Sequence, residues 1–237
     1  MERDEKDRES IWQRLERPRP APRVQLTHGQ IADAAVEIAD AEGLEAVSMR
    51  RLADRLGIAT MGLYRYVRGR NDVVELMVDR VYGQWEPLAP DAGWREALAA
   101  AGRQMRRIRL AHPWLTEAGA PLTPGYVAYA DRLLASMSGL DLDEDTKYAV
   151  VTALTSYVSG IADAQIHLAR LLAREGVATM DELRTAYAPR MAWFLDSGRY
   201  PAFERYIRSG TRKDDTDWQF ELGLAAVLDG IAARLGI

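Results

Sequence analysis

A glycine set between two short apolar-patterned segments constrains this chain more than any other feature. Ala53, Gly57, Ile58 and Leu63 are spaced so that two short helices cross steeply. Such a crossing needs a small residue inside, a glycine at the turn and an apolar residue pinning the second helix. The second helix of a pair like this fits the DNA major groove, which turns Thr60, Met61, Gly62, Tyr64, Arg65 and Tyr66 outward. Between Ala46 and Arg70 stand Arg50, Arg51, Arg55, Arg65, Arg68 and Arg70 against a single acid, Asp54. The whole chain carries a net charge of −4, so its basicity is local, and coating of nucleic acid by general positive charge is excluded.

The flanking punctuation is helical. Thr27 with Gln30 three residues later predicts a capping box, followed by Ile31, Ala35 and Ile38 on one face until Gly43. Ser48 is expected to cap the next helix, burying Leu52, Ala53 and Leu56, and Gly57 to end it. Thr60 is expected to cap the third helix, and Asn71 a fourth that carries Val74, Met77, Val78 and Val81. Trp94, Leu98, Ala101, Met105 and Ile108 continue the helical spacing until Pro113. Further helices are predicted from about Pro124 to Met137, Asp143 to Glu175, Thr179 to Asp196, Pro201 to Ile207 and Thr216 to Leu235, and no segment reads as a sheet.

The predicted fold is therefore all-α, with a helix-turn-helix domain joined by a fourth helix to a larger helical domain. The boundaries fall at 1–24 for a flexible proline- and arginine-bearing arm, 25–70 for the helix-turn-helix, 71–90 for the connecting helix and linker, and 91–237 for the larger domain. Alternate prolines in Arg17-Pro18-Arg19-Pro20-Ala21-Pro22-Arg23 forbid helix there. The arm's arginines, Arg14 included, suit a minor groove or a solvated tail.

Ser48-Met49-Arg50-Arg51-Leu52-Ala53, Leu56-Gly57-Ile58, Leu63-Tyr64-Arg65-Tyr66-Val67 and Asn71-Asp72 together resemble the DNA-binding domain of the TetR family of bacterial repressors, over about Thr27 to Tyr82. The resemblance implies that Ser48 caps its helix and meets a phosphate, that Arg50 approaches a base edge, and that Tyr64 and Tyr66 press on the backbone. It makes Thr60, Met61 and Gly62 the sequence readers. Arg51, Arg65 and Arg70 complete the expected DNA-binding set. Physically, hydroxyls and capped helix ends hold phosphates, while a guanidinium takes guanine O6 and N7 together.

Trp94, His112-Pro113-Trp114-Leu115, Asp217 to Leu224 and Leu228-Asp229-Gly230 resemble the C-terminal domain of the tetracycline-repressor branch. That resemblance implies a homodimer, an effector held inside each subunit and repression as the sign of regulation. From the residues alone, the last helix carries an apolar face and a small-residue stripe. Val150, Leu154, Val158 and Ile161, with Phe220, Gly223, Leu224, Val227, Gly230 and Ile231, are the expected twofold interface. A dimer would set two recognition helices about 34 Å apart on a palindromic double-stranded operator. Met105, His112, Tyr126, Tyr129, Met137, Tyr157, Gln165, His167 and Trp193 are the candidate effector-pocket residues, since aromatic walls with a few polar anchors make small-molecule sites.

The chain has no cysteine, which removes disulfides, thiolate metal sites and cysteine nucleophiles and fits a reducing compartment. No signal-like or bilayer-length apolar run occurs, so a cytoplasmic protein without a membrane partner is expected. No cofactor, metal or catalytic residue is expected. Two other readings stay open: an all-α enzyme using Asp214-Asp215-x-Asp217 or Asp141-x-Asp143-Glu144-Asp145 to chelate metal, and a helical adaptor that has lost DNA binding. Aspartates at helix starts more simply cap amides. The adaptor would carry acids or prolines within Ser48 to Arg70, where there is only Asp54.

Overall fold

The computed structural model describes residues 10–16, 26–86, 92–119 and 122–237. Among these residues the regular structure is helical: α1 (Ile11–Leu15), α2 (His28–Glu42), α3 (Met49–Leu56), α4 (Thr60–Leu63), α5 (Arg70–Tyr82), α6 (Trp94–Ala111), α7 (Pro124–Ala135), α8 (Glu144–Glu175), α9 (Met180–Asp196), α10 (Pro201–Ser209) and α11 (Thr216–Leu235). Short 3-10 turns occupy Leu44–Ala46 and Pro113–Thr116. The chain divides into two compact units, Met1–Thr152 and Ala153–Ile237. By packing the division falls inside α8, and Trp114 and Leu115 share one hydrophobic core with Ile31, Leu52, Leu63 and Met77.

Local chemistry sets the helix ends. Thr27 and Gln30 form the reciprocal capping box, and the Ser48 hydroxyl accepts the Arg51 amide. Gly57 closes α3 at φ 68°, a left-handed conformation that a side chain resists. Two expected caps are displaced. The residue preceding α4 is Ala59, so Thr60 lies inside the helix and gives no cap bond. Helix α5 starts at Arg70 after Gly69, and Asp72 rather than Asn71 closes its entry by accepting the Arg68 amide at 2.7 Å.

The arm is also corrected. Ser10 and Gln13 form a capping box that starts α1, and Ile11 is buried in the first unit's core. The Arg14 guanidinium is buried against the Asp72 carboxylate, so it is not held out for a minor groove. The Ile11 amide donates to Glu75, whose carboxyl is nonetheless pushed above its ordinary range by burial and by neighbouring Asp72. The remaining arm arginines, 17, 19 and 23, lie outside the described residues.

Two polar joints tie the helices of the first unit together. Asp40 on α2 accepts from the Trp114 indole at 2.7 Å and meets His112 Nδ1 at 2.8 Å. Asp79 on α5 accepts the Gly125 amide at 2.7 Å, where a Cβ on Gly125 would come within 3.0 Å of the Asp79 carbonyl oxygen. In the second unit the Tyr157 hydroxyl donates to the Phe220 carbonyl at 2.8 Å and the two rings stack.

Candidate nucleic-acid interface

Helices α3 and α4 cross with Ala53 and Leu63 fully buried between them, as their spacing requires, and this burial fixes which residues are left outside. Ser48, Arg50, Tyr64 and Arg65 are exposed, Met61 is 76% exposed, and Thr60 and Gly62 are half-buried. An exposed methionine is ordinary on a folded surface, and at this position its side chain is free to make an apolar contact such as one with a thymine methyl group.

The arginines fall into two sets. Arg51 pairs with Glu42 on α2, and Arg55 pairs with Glu37. Arg70 donates to the carbonyls of Val47 at 3.0 Å and Leu44 at 2.8 Å, strapping α5 to the turn before α3. These three side chains are spent inside the subunit. Arg70, expected at the DNA, is a strap, and Arg51 is tied back to Glu42. Arg50 and Arg65, by contrast, make no ion pair among the described residues and leave two uncompensated charges beside the recognition helix. The sequence shows the cluster but not the division, because the compensating acids lie 9 and 18 residues away and the strap spans 23 and 26.

Tyr66 is also relocated. Its ring packs on the core and stands edge-on to His28, while its carbonyl meets His28 Nε2 at 3.2 Å, so it braces the end of α4. Only Tyr64 of the two tyrosines is exposed.

The nine expected effector residues are divided between the units, with Met105, His112, Tyr126, Tyr129 and Met137 in the first and Tyr157, Gln165, His167 and Trp193 in the second. Met105, Tyr129 and Met137 are buried, and the Tyr129 hydroxyl lies 4.0 Å from Met105 Sδ. Tyr126 is close by, its ring 5.6 Å from that of Tyr82. His112 is engaged by Asp40, Tyr157 by Phe220, and Trp193 is 63% exposed. His167 is exposed and Gln165 half-buried on α8.

Two members of the aromatic cluster were missed. Trp85 stacks on Tyr129 with ring centres 3.9 Å apart, and Tyr82 lies 6.0 Å from Trp85 and 6.1 Å from Tyr129. A Tyr-x-x-Trp end to the connecting helix was the available signal. The buried Trp85 indole N–H has no acceptor among the described residues. Burial raises the pKa of Tyr82 and Tyr129, so both phenols stay neutral donors.

The expected dimer residues need a similar correction. Val150, Leu154, Val158, Phe220 and Leu224 are buried within the single chain, so they are core and offer no surface to a second copy. Gly223 is small for an internal reason, because a Cβ there would collide with the Tyr157 hydroxyl. Ile161, Val227 and Ile231 are half-buried and Gly230 is exposed.

The acidic runs are helix caps. Asp143 accepts the Thr146 amide at 2.8 Å and Asp215 the Trp218 amide at 2.9 Å, and these bonds hold both carboxyls below the usual range. Asp214 pairs with Arg184.

Residues 31–77 match the family described as "Bacterial regulatory proteins, tetR family", and residues 86–235 match the "Tetracyclin repressor-like, C-terminal domain". The chain belongs to the TetR family. It is a DNA-binding transcriptional regulator of that family, and the Ser48 to Arg68 surface is its helix-turn-helix. It is 36% identical over 228 residues to the HTH-type transcriptional repressor DrrR1 of Streptomyces coeruleorubidus, covering 94% of this chain and 83% of that protein. An HTH-type transcriptional regulator of Saccharopolyspora erythraea is 30% identical over 96% of this chain and 93% of its own length. Among solved structures, the Streptomyces coelicolor TetR-family protein ActR in complex with actinorhodin aligns with a TM-score of 0.72 and 29% identity over 90% of this chain and 98% of that one. Among the described residues no helix is long and apolar enough to cross a membrane.

Proposed function

We propose that this TetR-family regulator acts in the cytosol as a homodimeric repressor that holds a palindromic operator and releases it when a small molecule enters the first unit. The observation that carries the DNA-binding half is the division of the arginines: Arg51, Arg55 and Arg70 are tied down internally, whereas Arg50 and Arg65 stand unpaired among the described residues beside exposed Met61 and Tyr64. Arg50 reads a base edge, Ser48 and Tyr64 hold phosphates, and Thr60 and Met61 meet the groove floor.

The dimer uses the faces of α8 and α11 that the chain leaves uncovered. Ala153, Ser156, Gly160 and Ala164 form an exposed small-residue line on α8, and Ala226, Gly230 and Ala233 form another on α11 with the exposed Leu222 one turn before it. Small residues let helices of two subunits approach closely, and a twofold arrangement of them makes both faces self-complementary.

The effector occupies the aromatic group of Tyr82, Trp85, Tyr126 and Tyr129. Its buried indole N–H offers a donor to a ligand acceptor, and Tyr82 ends the helix that follows the recognition helix. The ActR structure with actinorhodin supports a small-molecule effector.

Selection from randomised duplex DNA at about 150 mM salt, where screening suppresses non-specific binding, tests the reading. An enriched palindrome lost in Arg50→Ala and Tyr64→Ala is the expected result, and a folded protein that enriches nothing overturns it. With that operator as probe, a releasing ligand is expected to change Trp85 emission, and a Trp85→Phe variant to respond with altered sensitivity.

A further inference from the structure

The Ala153–Ile237 unit contains a cavity of about 640 Å³ that none of the expected effector residues lines. Its size falls within the roughly 300–1,000 Å³ of ordinary small-molecule sites. The walls are almost wholly apolar: Leu171 from α8, Leu183, Tyr187, Met191 and Leu195 from α9, and Ile207 from α10. Two cations, Arg184 and Lys213, complete the lining at one end.

The cations differ. Arg184 is neutralised by Asp181 at 2.8 Å and by Asp214, and Arg212 just beyond it is neutralised by Asp215 at 2.7 Å. Lys213 has no carboxylate partner among the described residues. Its ammonium donates to the Ile207 carbonyl at the end of α10 and lies 5.8 Å from the centre of the Tyr206 ring. That placement depends on Gly210, where a Cβ would come within 2.9 Å of Lys213 Cε and 2.8 Å of the Tyr206 carbonyl oxygen. The glycine therefore allows the lysine stem to fold back and fixes one uncompensated positive charge at the rim of an apolar space. The ammonium has three donors, and the carbonyl uses one.

We propose that this cavity is a second ligand site, for an apolar small molecule bearing a single carboxylate, with the carboxylate on Lys213 and the apolar body among Leu183, Met191 and Leu195. The site lies on different residues from the aromatic group and does not rest on its role. A neutral ligand would leave the charge uncompensated, and a cationic one would be repelled. The ion pair at the mouth of an apolar space adds what burial of the chain alone cannot supply, a preference for the anion.

Calorimetric titration of the full-length protein with dodecanoate, and with dodecanol as the neutral comparison, both below micelle formation, tests this. Dodecanoate is expected to bind at least about tenfold more tightly than dodecanol, the effect of one charge-assisted contact. Lys213→Met is expected to remove that preference and leave dodecanol binding unchanged. Gly210→Ala keeps the charge but displaces it, and is expected to act in the same direction. Ala188 and Ala192 also line the cavity, so Ala188→Trp or Ala192→Trp fills the space and is expected to abolish binding of both, with circular dichroism confirming that each variant folds. Equal affinity for the two ligands, or an unaltered preference in Lys213→Met, overturns the assignment. So does absence of binding; if either tryptophan variant then also weakens self-association in sedimentation, the space belongs to an interface between copies of the chain. Operator binding, measured separately, reports on the repressor reading alone.

Discussion

The helix-turn-helix region and the Ala153–Ile237 unit use their large apolar side chains in opposite ways. Around the recognition helix Leu52, Leu63 and Met77 are fully buried within one chain, whereas Trp193, Tyr206 and Leu222 keep 63, 51 and 55% of their surface exposed. A three-helix unit must close its own core to present a rigid reading head, since a loosely held helix would lose its register on the groove. The second unit leaves apolar area uncovered, and uncovered area of this kind is what a second subunit or a ligand buries. The helix-turn-helix region thus closes its own core and leaves Met61 and Tyr64 outside beside its charges, whereas the second unit leaves large apolar side chains exposed on α9, α10 and α11.

That contrast can be broken most directly in the core. Leu63→Ala is expected to cost about 2–5 kcal/mol and to lower the thermal midpoint, because a buried leucine leaves a cavity. Leu222→Ala is expected to change the subunit's own stability by less than about 0.5 kcal/mol, as exposed positions do. It should instead shift the protein towards monomer in sedimentation, and a stability loss equal to that of Leu63→Ala would erase the distinction.

Within the first unit the two arginine sets sharpen it. Arg50→Ala is expected to weaken operator binding by about 1–3 kcal/mol in fluorescence anisotropy while leaving the melting curve in place. Arg70→Ala is expected to do the reverse in part, lowering the melting midpoint through loss of its bonds to the Val47 and Leu44 carbonyls. A smaller effect is expected at the joint to α6. Asp40→Asn removes the charge that serves both His112 and Trp114, and should cost on the order of 1 kcal/mol in denaturant unfolding.

The smallest effect is on acid stability. Asp143 and Asp215 are held below the usual carboxylate range by capping bonds, so they release their protons more readily folded than unfolded. Their contribution is present above the unfolded value and is lost as pH falls through the lowered folded one. The double variant Asp143→Asn, Asp215→Asn should therefore show a shallower loss of stability below about pH 4 than the native chain, and an unchanged acid limb would show that the caps carry none of it.

Much of the reading head was legible because its signals are local. Thr27 with Gln30, Ser48 with Arg51 and Gly57 in its left-handed turn each act within four residues, so spacing alone identifies them. The misplaced elements are those where a distant residue outcompeted a local one. Asn71 lost the helix entry to Asp72, which α1 also engages through Arg14, and an arm that composition marks as extended begins with a docked helix. Tyr66 and Arg70 belong to a recognisable motif, yet their roles follow from His28, Val47 and Leu44.

By itself, then, the sequence determined that the chain is helical, where most helices begin and end, and which segment is the helix-turn-helix, because capping, turn chemistry and the 3.6-residue period act over a few residues. Only the tertiary structure decided which arginines remain free to meet a phosphate or a base. It also decided which side of α8 and α11 is core, since helices apolar over most of their circumference carry no sign of which face their own subunit will use. Val150, Leu154 and Phe220 went inward and Gly160 and Gly230 stayed outside, a choice made by packing across 60 and more residues of chain, as between Tyr157 and Phe220, 63 apart.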